Sequence, residues 1–286
     1  MRLIESIGEM QSWSRKVKLE GKSIGFVPTM GFFHEGHISL MKASKSENDL
    51  TVVSIYVNPT QFGPKEDFSK YPRDLERDLE MSENTGVNVV FAPSDKDIYP
   101  EGYKTYVNVN DLSDKWEGKS RPGHFKGVCT IVLKLLNITQ PDNLYLGQKD
   151  AQQCVILSRM IKELNLPVSI SIQPTVREPD GVAMSSRNSY LNPDERKAAK
   201  VLYASLQLAT SLIDLGETNS EKILQEMQDR ISQEKLAKLD YVAIVDPINL
   251  NPLPQIQAPV IICLAVYIGK TRLIDNLWIT EIKPES

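Results

Sequence analysis

The stretch Pro28-Thr29-Met30-Gly31-Phe32-Phe33-His34-Glu35-Gly36-His37 constrains this chain most. Ser23 to Val27 before it reads as a short buried strand. His37 to Ser44 after it reads as a helix with Ile38, Leu40 and Met41 as apolar positions. The stretch is therefore a strand-to-helix turn. Gly31 and Gly36 permit close backbone approach or a positive φ. A helix leaving such a turn aims unsatisfied N–H groups and its positive dipole end at it, which suits an anion. Two imidazoles three residues apart can each donate an N–H to a phosphate oxygen. A plain turn with exposed histidines is the alternative. A zinc site is a second one, because His124 is the remaining histidine of three. The i, i+3 spacing of His34 and His37 is not that of a zinc-protease helix.

The chain around this turn has the strand–helix alternation of an α/β protein. Ile4 to Lys18 reads as a helix. Leu50 to Val57 is β-branched and reads as a doubly buried parallel strand ending in Asn58-Pro59-Thr60-Gln61-Phe62. In open α/β sheets that strand end is where ligands bind. Tyr71 to Thr85 reads as a helix, Val87 to Ala92 as a strand, Asp95 to Tyr103 as a loop and Lys104 to Val109 as an edge strand. Arg121-Pro122-Gly123-His124-Phe125-Lys126-Gly127 is a second candidate anion loop, ahead of a helix over Val128 to Leu136. A solvated basic turn fits it equally well.

Asn143 to Leu146 reads as a strand. It runs into Gly147-Gln148-Lys149-Asp150 and a helix over Ala151 to Leu164. Lys149 there can reach a phosphate as a point charge, and Asp150 can cap the helix or bond a ribose hydroxyl. Ser169 to Gln173 is the next strand. Met184-Ser185-Ser186-Arg187-Asn188 clusters two hydroxyls, a guanidinium and an amide. From Asn192 the texture changes to two helices, ending near Leu215 and Ile231, and three strands, the last two joined by Gly269-Lys270.

Composition narrows the classes. The chain has 286 residues, 24% charged, with a formal net charge of −4. No basic run points to nucleic acid. The longest apolar run, Ala258 to Ile268, is too short to span a bilayer. Three scattered cysteines fit reduced thiols rather than a disulfide frame. The N-terminal stretch lacks a signal-peptide core, so a cytoplasmic location is expected.

Five stretches, in this order, resemble the pantothenate synthetase family. They are Pro28 to His37, Asn58 to Phe62, Arg121 to Gly127, Gly147 to Gln153 and Pro174 to Asn188. The first resembles the H-x-G-H signature of the wider nucleotidylyltransferase superfamily. Met184 to Asn188 resembles its K-M-S-K-S loop, with Arg187 where the second lysine would stand. Phe32-Phe33 and Leu146 depart from the commonest family pattern without removing a polar group.

The resemblance implies a Rossmann-like parallel sheet domain over 1–175, binding nucleotide and pantoate. A smaller α+β C-terminal domain over 176–286 would serve as a lid. It implies an ATP-dependent ligase that joins pantoate to β-alanine through a pantoyl adenylate. Another nucleotidylyltransferase acting on a phosphate ester is the alternative. By resemblance, His34, His37, Lys149 and Arg187 are catalytic, with His37 as proton donor. ATP would lie against Met30, Gly31, Phe32, Phe33, His34, Glu35, Gly36, His37, Gly147, Gln148, Lys149, Asp150, Val176, Met184, Ser185, Ser186 and Arg187. Gln61, Gln153 and Asn58 would hold pantoate or β-alanine. Mg²⁺ would ride on the ATP phosphates, with Asp78 as a candidate ligand. A homodimer is expected on the same ground, and the composition argues for no nucleic-acid or membrane partner.

Overall fold

The computed structural model describes residues 1–64 and 66–281. In chain order its elements are β1 (Arg2–Ile4), α1 (Ile7–Leu19), β2 (Ile24–Thr29), α2 (Glu35–Glu47), β3 (Leu50–Ile55), α3 (Leu75–Thr85), β4 (Val89–Phe91), α4 (Asp95–Ile98), α5 (Trp116–Ser120), α6 (His124–Thr139), β5 (Asn143–Gly147), α7 (Ala151–Glu163), β6 (Ser169–Gln173), α8 (Pro193–Ala198), α9 (Lys200–Asp214), α10 (Ser220–Ser232), β7 (Ala237–Val245), β8 (Val260–Ile268) and β9 (Thr271–Ile279). Two compact units emerge. The first holds 1–114, 121–147 and 156–174, and the second 115–120, 148–155 and 175–286.

The first unit is built on a six-stranded sheet in the order β1-β4-β3-β2-β5-β6, parallel throughout. β2 sits between β3 and β5, where the strand order reverses, and the Met30–His37 turn leaves its C-terminal end. That is the switch point at which doubly wound sheets place ligands. Helix α2 covers the sheet with Ile38, Leu40 and Met41. They pack with Val27, Phe33, Val53, Val90 and Tyr145. Among the described residues no helix is long and apolar enough to cross a membrane.

The second unit is an α+β layer. β7, β8 and β9 form an antiparallel sheet. Ile223, Met227 and Ile231 of α10 pack with Leu202, Leu206 and Ala209 of α9 against Ile262, Leu264 and Val266 of β8. Asn192 and Glu195 cap α8 reciprocally, as their spacing predicts. The expected helix from Asn192 to Leu215 is divided into α8 and α9 at Ala199.

Two segments outside 176–286 group with this unit because its residues hold them. The Trp116 indole N–H donates to Leu250 O, and Arg272 pairs with Glu117. Asn276 donates to the carbonyls of Gln148 and Lys149.

Three further expectations are corrected. Lys104 to Val109 is not a strand. Its Val107 N–H is satisfied by Thr130 Oγ1 of α6 instead of by a neighbouring strand. Ile4 closes a short strand, β1, and the helix begins after the Ser6 cap. Asp95 to Ile98 is a helical turn capped by Ser94, not loop.

Candidate active site

The Met30–His37 turn is held at both ends. The Thr29 hydroxyl donates to Ser54 O on β3 and accepts from Gly31 N–H. Gly31 has φ +82°, and a Cβ there would stand 2.8 Å from Asp78 Oδ2, so glycine is required. Phe32 follows at φ +52°, a strained value for an aromatic residue. Asp78 holds it there. Its two carboxylate oxygens accept the N–H groups of Phe32 and Phe33, both at 2.7 Å. Phe33 then sinks its ring into the core. The two phenylalanines thus have separate tasks, one strained and one an anchor.

Asp78 is 1% exposed. Burial pushes its carboxyl up, the two N–H bonds and Arg77 pull it down, and the balance is upward. Asp78, the candidate Mg²⁺ ligand, thus has each carboxylate oxygen engaged by the turn's backbone. Among the described residues no group of three or more His, Cys, Asp or Glu could hold a metal ion.

His34 is the N-cap of α2. Its Nδ1 accepts from Gly36 N–H, and His37 Nδ1 accepts from His34 N–H. The pair is a capping box with imidazoles in place of the usual hydroxyl and carboxylate. An Nδ1 that accepts leaves the proton of the neutral ring on Nε2. Both histidines therefore present an Nε2–H donor. This modifies the anion reading of the helix start. The Gly36 and His37 N–H groups are taken inside the cap, by His34 Nδ1 and His34 O. Imidazole donors, rather than those two helix amides, carry the capacity to bind phosphate.

Gln61 stands over the same turn. Its Nε2 lies 3.2 Å from Met30 Sδ and its Oε1 accepts from Asn58 Nδ2. Asn58 is buried, and also donates to Gly127 O and accepts from Tyr99 OH and Thr60 Oγ1. Asn58, expected among the substrate-binding residues, thus orients Gln61 through its side-chain amide.

The second candidate anion loop is corrected. Arg121 forks onto Glu66 at 2.6 Å. His124 is buried, with Nε2 on Arg121 and Nδ1 on Gln61 O at 2.9 Å. Arginine only donates, so Nε2 accepts and Nδ1–H donates to Gln61. Lys126 lies over the Tyr106 ring. Each of these three side chains has a protein partner. The third histidine supports the Gln61 turn, and the zinc alternative loses its third ligand.

In the second unit, Lys149 lies on the turn after β5, with its ammonium 3.1 Å from Asp150 Oδ1. Gln152 and Gln153 follow on α7. The Gln152 amide is committed to Glu117 N–H and Lys115 O. Val176 to Met184 forms a hairpin, closed by Met184 N–H on Val176 O and a bridge between Arg177 and Ala183. Ser185 then caps a single 3-10 turn, accepting from Arg187 N–H. Asn188 ties that turn to Glu178 and Ala183. The hydroxyl–guanidinium cluster thus stands on an ordered loop.

Sequence reasoning missed Asp275 and Asn276. Both are 2% exposed, on β9. Adjacent Asp and Asn inside an apolar strand were the available signal, since both residue types are depleted in strands.

The family model described as pantoate-beta-alanine ligase matches residues 2–278. The chain belongs to the pantoate–β-alanine ligase family. A pantothenate synthetase of Caldicellulosiruptor saccharolyticus is 54% identical over 97% of this chain and 99% of its own. The crystal structure of pantothenate synthetase from Thermus thermophilus superposes with a TM-score of 0.93. It shows 41% identity and covers 98% of this chain and 100% of that one. A Francisella tularensis pantoate-beta-alanine ligase was solved with beta-gamma ATP and beta-alanine. It gives a TM-score of 0.81 and 40% identity, covering 97% of both chains. The α/β architecture expected from the sequence, a parallel Rossmann-like sheet with a smaller α+β unit, is the architecture of this family.

Proposed function

We propose that this protein is the ligase that condenses pantoate with β-alanine, using ATP and releasing AMP and pyrophosphate. Membership of the ligase family along almost the whole chain carries this reading. In the first step a pantoate carboxylate oxygen attacks the α-phosphorus of ATP. The bond to the bridging oxygen breaks and pyrophosphate leaves. In the second step the β-alanine amine attacks the acyl carbon of the adenylate. AMP departs and the amine loses a proton.

Attack by an anion on an anion needs donors that strengthen as charge grows. His34 and His37 suit this through Nε2–H, with His37 as proton donor. Lys149 supplies a point charge to the phosphates, and Ser185, Ser186 and Arg187 hold the pyrophosphate end. Met30–His37, Gly147–Asp150, Val176 and Met184–Arg187 together would form the ATP site. Gln61 and Gln153 are neutral amides, which bind a hydroxy acid without blunting its carboxylate as a nucleophile. Mg²⁺ would enter on the ATP phosphates, with few protein ligands, and would neutralise part of their charge. A homodimer and a cytoplasmic location are supported by the family resemblance alone.

The test is pyrophosphate–ATP exchange. It should require pantoate and proceed without β-alanine. Exchange without pantoate, or none with it, would overturn the reaction. A transferase acting on a phosphate ester would ignore pantoate.

A further inference from the structure

The buried polar residues of β9 form a chain that ends at Lys149. Asn276 Nδ2 donates to Gln148 O at 2.9 Å and to Lys149 O at 2.8 Å. Those carbonyls belong to the two peptide planes on either side of the Lys149 Cα. One planar amide therefore fixes both planes, and with them the direction in which the lysine side chain leaves the backbone. Asn276 is itself fixed. Its N–H donates to Asp275 Oδ1 at 2.8 Å. The Asp275 carboxylate receives the Arg177 fork at 2.6 and 2.9 Å. Arg177 also donates to Gly181 O and stacks on Tyr203, with its guanidinium carbon 4.0 Å from the ring centroid.

A buried ion pair is weak evidence for stability, because desolvation offsets most of its attraction. What it provides here is orientation. Arg177 opens the hairpin that leads to Met184–Arg187, so the same pair ties that hairpin to the strand that holds Lys149.

We infer that Asn276, backed by the Asp275–Arg177 pair, is a positioning residue that aims Lys149 at the phosphates during adenylate formation. The inference rests on the ligase reading. The two half-reactions separate positioning from general damage. Adenylate formation uses Lys149 on pyrophosphate-bearing ATP. Aminolysis of an added pantoyl adenylate involves no pyrophosphate.

Asn276→Ala should lower kcat of pantoate-dependent exchange by about 10- to 100-fold, the range for a catalytic group displaced by roughly an ångström. Aminolysis of pantoyl adenylate by β-alanine should stay within about threefold, as an interaction used in only one transition state requires. In a Lys149→Ala background Asn276→Ala should add almost nothing, because both changes remove one function. Asn276→Ser, which keeps one donor, should fall between parent and Asn276→Ala. Equal losses in both half-reactions, no loss in exchange, or additivity with Lys149→Ala would overturn the inference. So would unfolding of both Asn276 variants, since the residue would then hold the fold rather than the lysine. If the parent protein itself shows no pantoate-dependent exchange, the ligase reading fails first, and the two failures stay distinct.

Discussion

The imidazoles of His34 and His37 lie with ring centroids 4.1 Å apart, and each gives its Nδ1 to a backbone N–H of the shared turn. One contact thus does two jobs. It caps α2, and it fixes the tautomer that leaves the ring proton on Nε2. The two jobs separate by mutation. Asn is among the best N-caps, so His34→Asn should keep the cap, whereas His34→Ala should lose about 1 kcal/mol of stability. Neither keeps an Nε2–H, so both should lose pantoate-dependent exchange. Denaturant unfolding and exchange kinetics on the two variants check this. An active His34→Asn would show that the ring matters only as a cap.

Asp78 supports the same turn from α3. Its two short bonds to Phe32 and Phe33 hold a backbone that is otherwise strained. In Asp78→Asn one amide oxygen can accept one N–H, and the NH₂ group faces the other. The cost should be about 1.5 to 3 kcal/mol, the scale of one hydrogen bond to a charged acceptor. Urea unfolding measures it. Exchange activity should fall as well, because the His34 cap begins where the turn ends. A variant of parental stability would remove Asp78 from this role.

Glu66 and Arg121 give a pH signature. Burial pushes the Glu66 carboxyl up, but the Arg121 hydrogen bonds and charge outweigh it, and the group sits below its ordinary value. A carboxylate depressed in the folded state adds stability above its unfolded pKa of about 4.3 and loses it as pH falls through the folded value. Glu66→Gln should therefore be about 1 to 3 kcal/mol less stable than the parent near pH 7. That gap should close as pH drops from about 4.3 through the folded pKa. Unfolding curves from neutral to acid pH read it directly. A gap independent of pH would mean that the ion pair is not linked to folding.

The legible parts of this protein are those whose signal is local. β2, β3 and β5 declare themselves as β-branched or apolar runs closed by Gly or Pro, and the catalytic candidates follow those strand ends. Capping of α8 by Asn192 and Glu195 is also local. The misread parts depend on partners distant in sequence. β1 has three residues, too few to show a period, and is a strand only because Val89–Phe91 lies beside it. Lys104 to Val109 alternates like a strand but has no strand to pair with. Asn58 and His124 carry the residue types of a binding site. Only the fold shows that they also bond Gly127, Tyr99 and Gln61. Asn276 and Lys149 are 127 positions apart, and only folding shows that one holds the backbone of the other.

Gln152 and Gln153 are neighbours on the first turn of α7, and the proposed reading gives them different work. The Gln152 amide is held at both ends, by Glu117 N–H at 3.0 Å and Lys115 O at 2.9 Å. Gln152→Ala should thus cost about 1 to 2 kcal/mol in stability, with little change in the affinity for pantoate. Gln153 is the residue assigned to pantoate. Gln153→Ala should lose one hydrogen bond to a hydroxy acid, about 1 to 3 kcal/mol, which is roughly 5- to 150-fold in kcat/KM for pantoate. ATP binding should hold, because an amide facing the hydroxy acid touches the nucleotide little. Initial rates against each substrate, with ATP affinity measured separately, resolve the pair. Equal loss of ATP and pantoate affinity in Gln153→Ala would place that amide on the wrong ligand. A Gln152→Ala variant impaired for pantoate at unchanged stability would exchange the two roles.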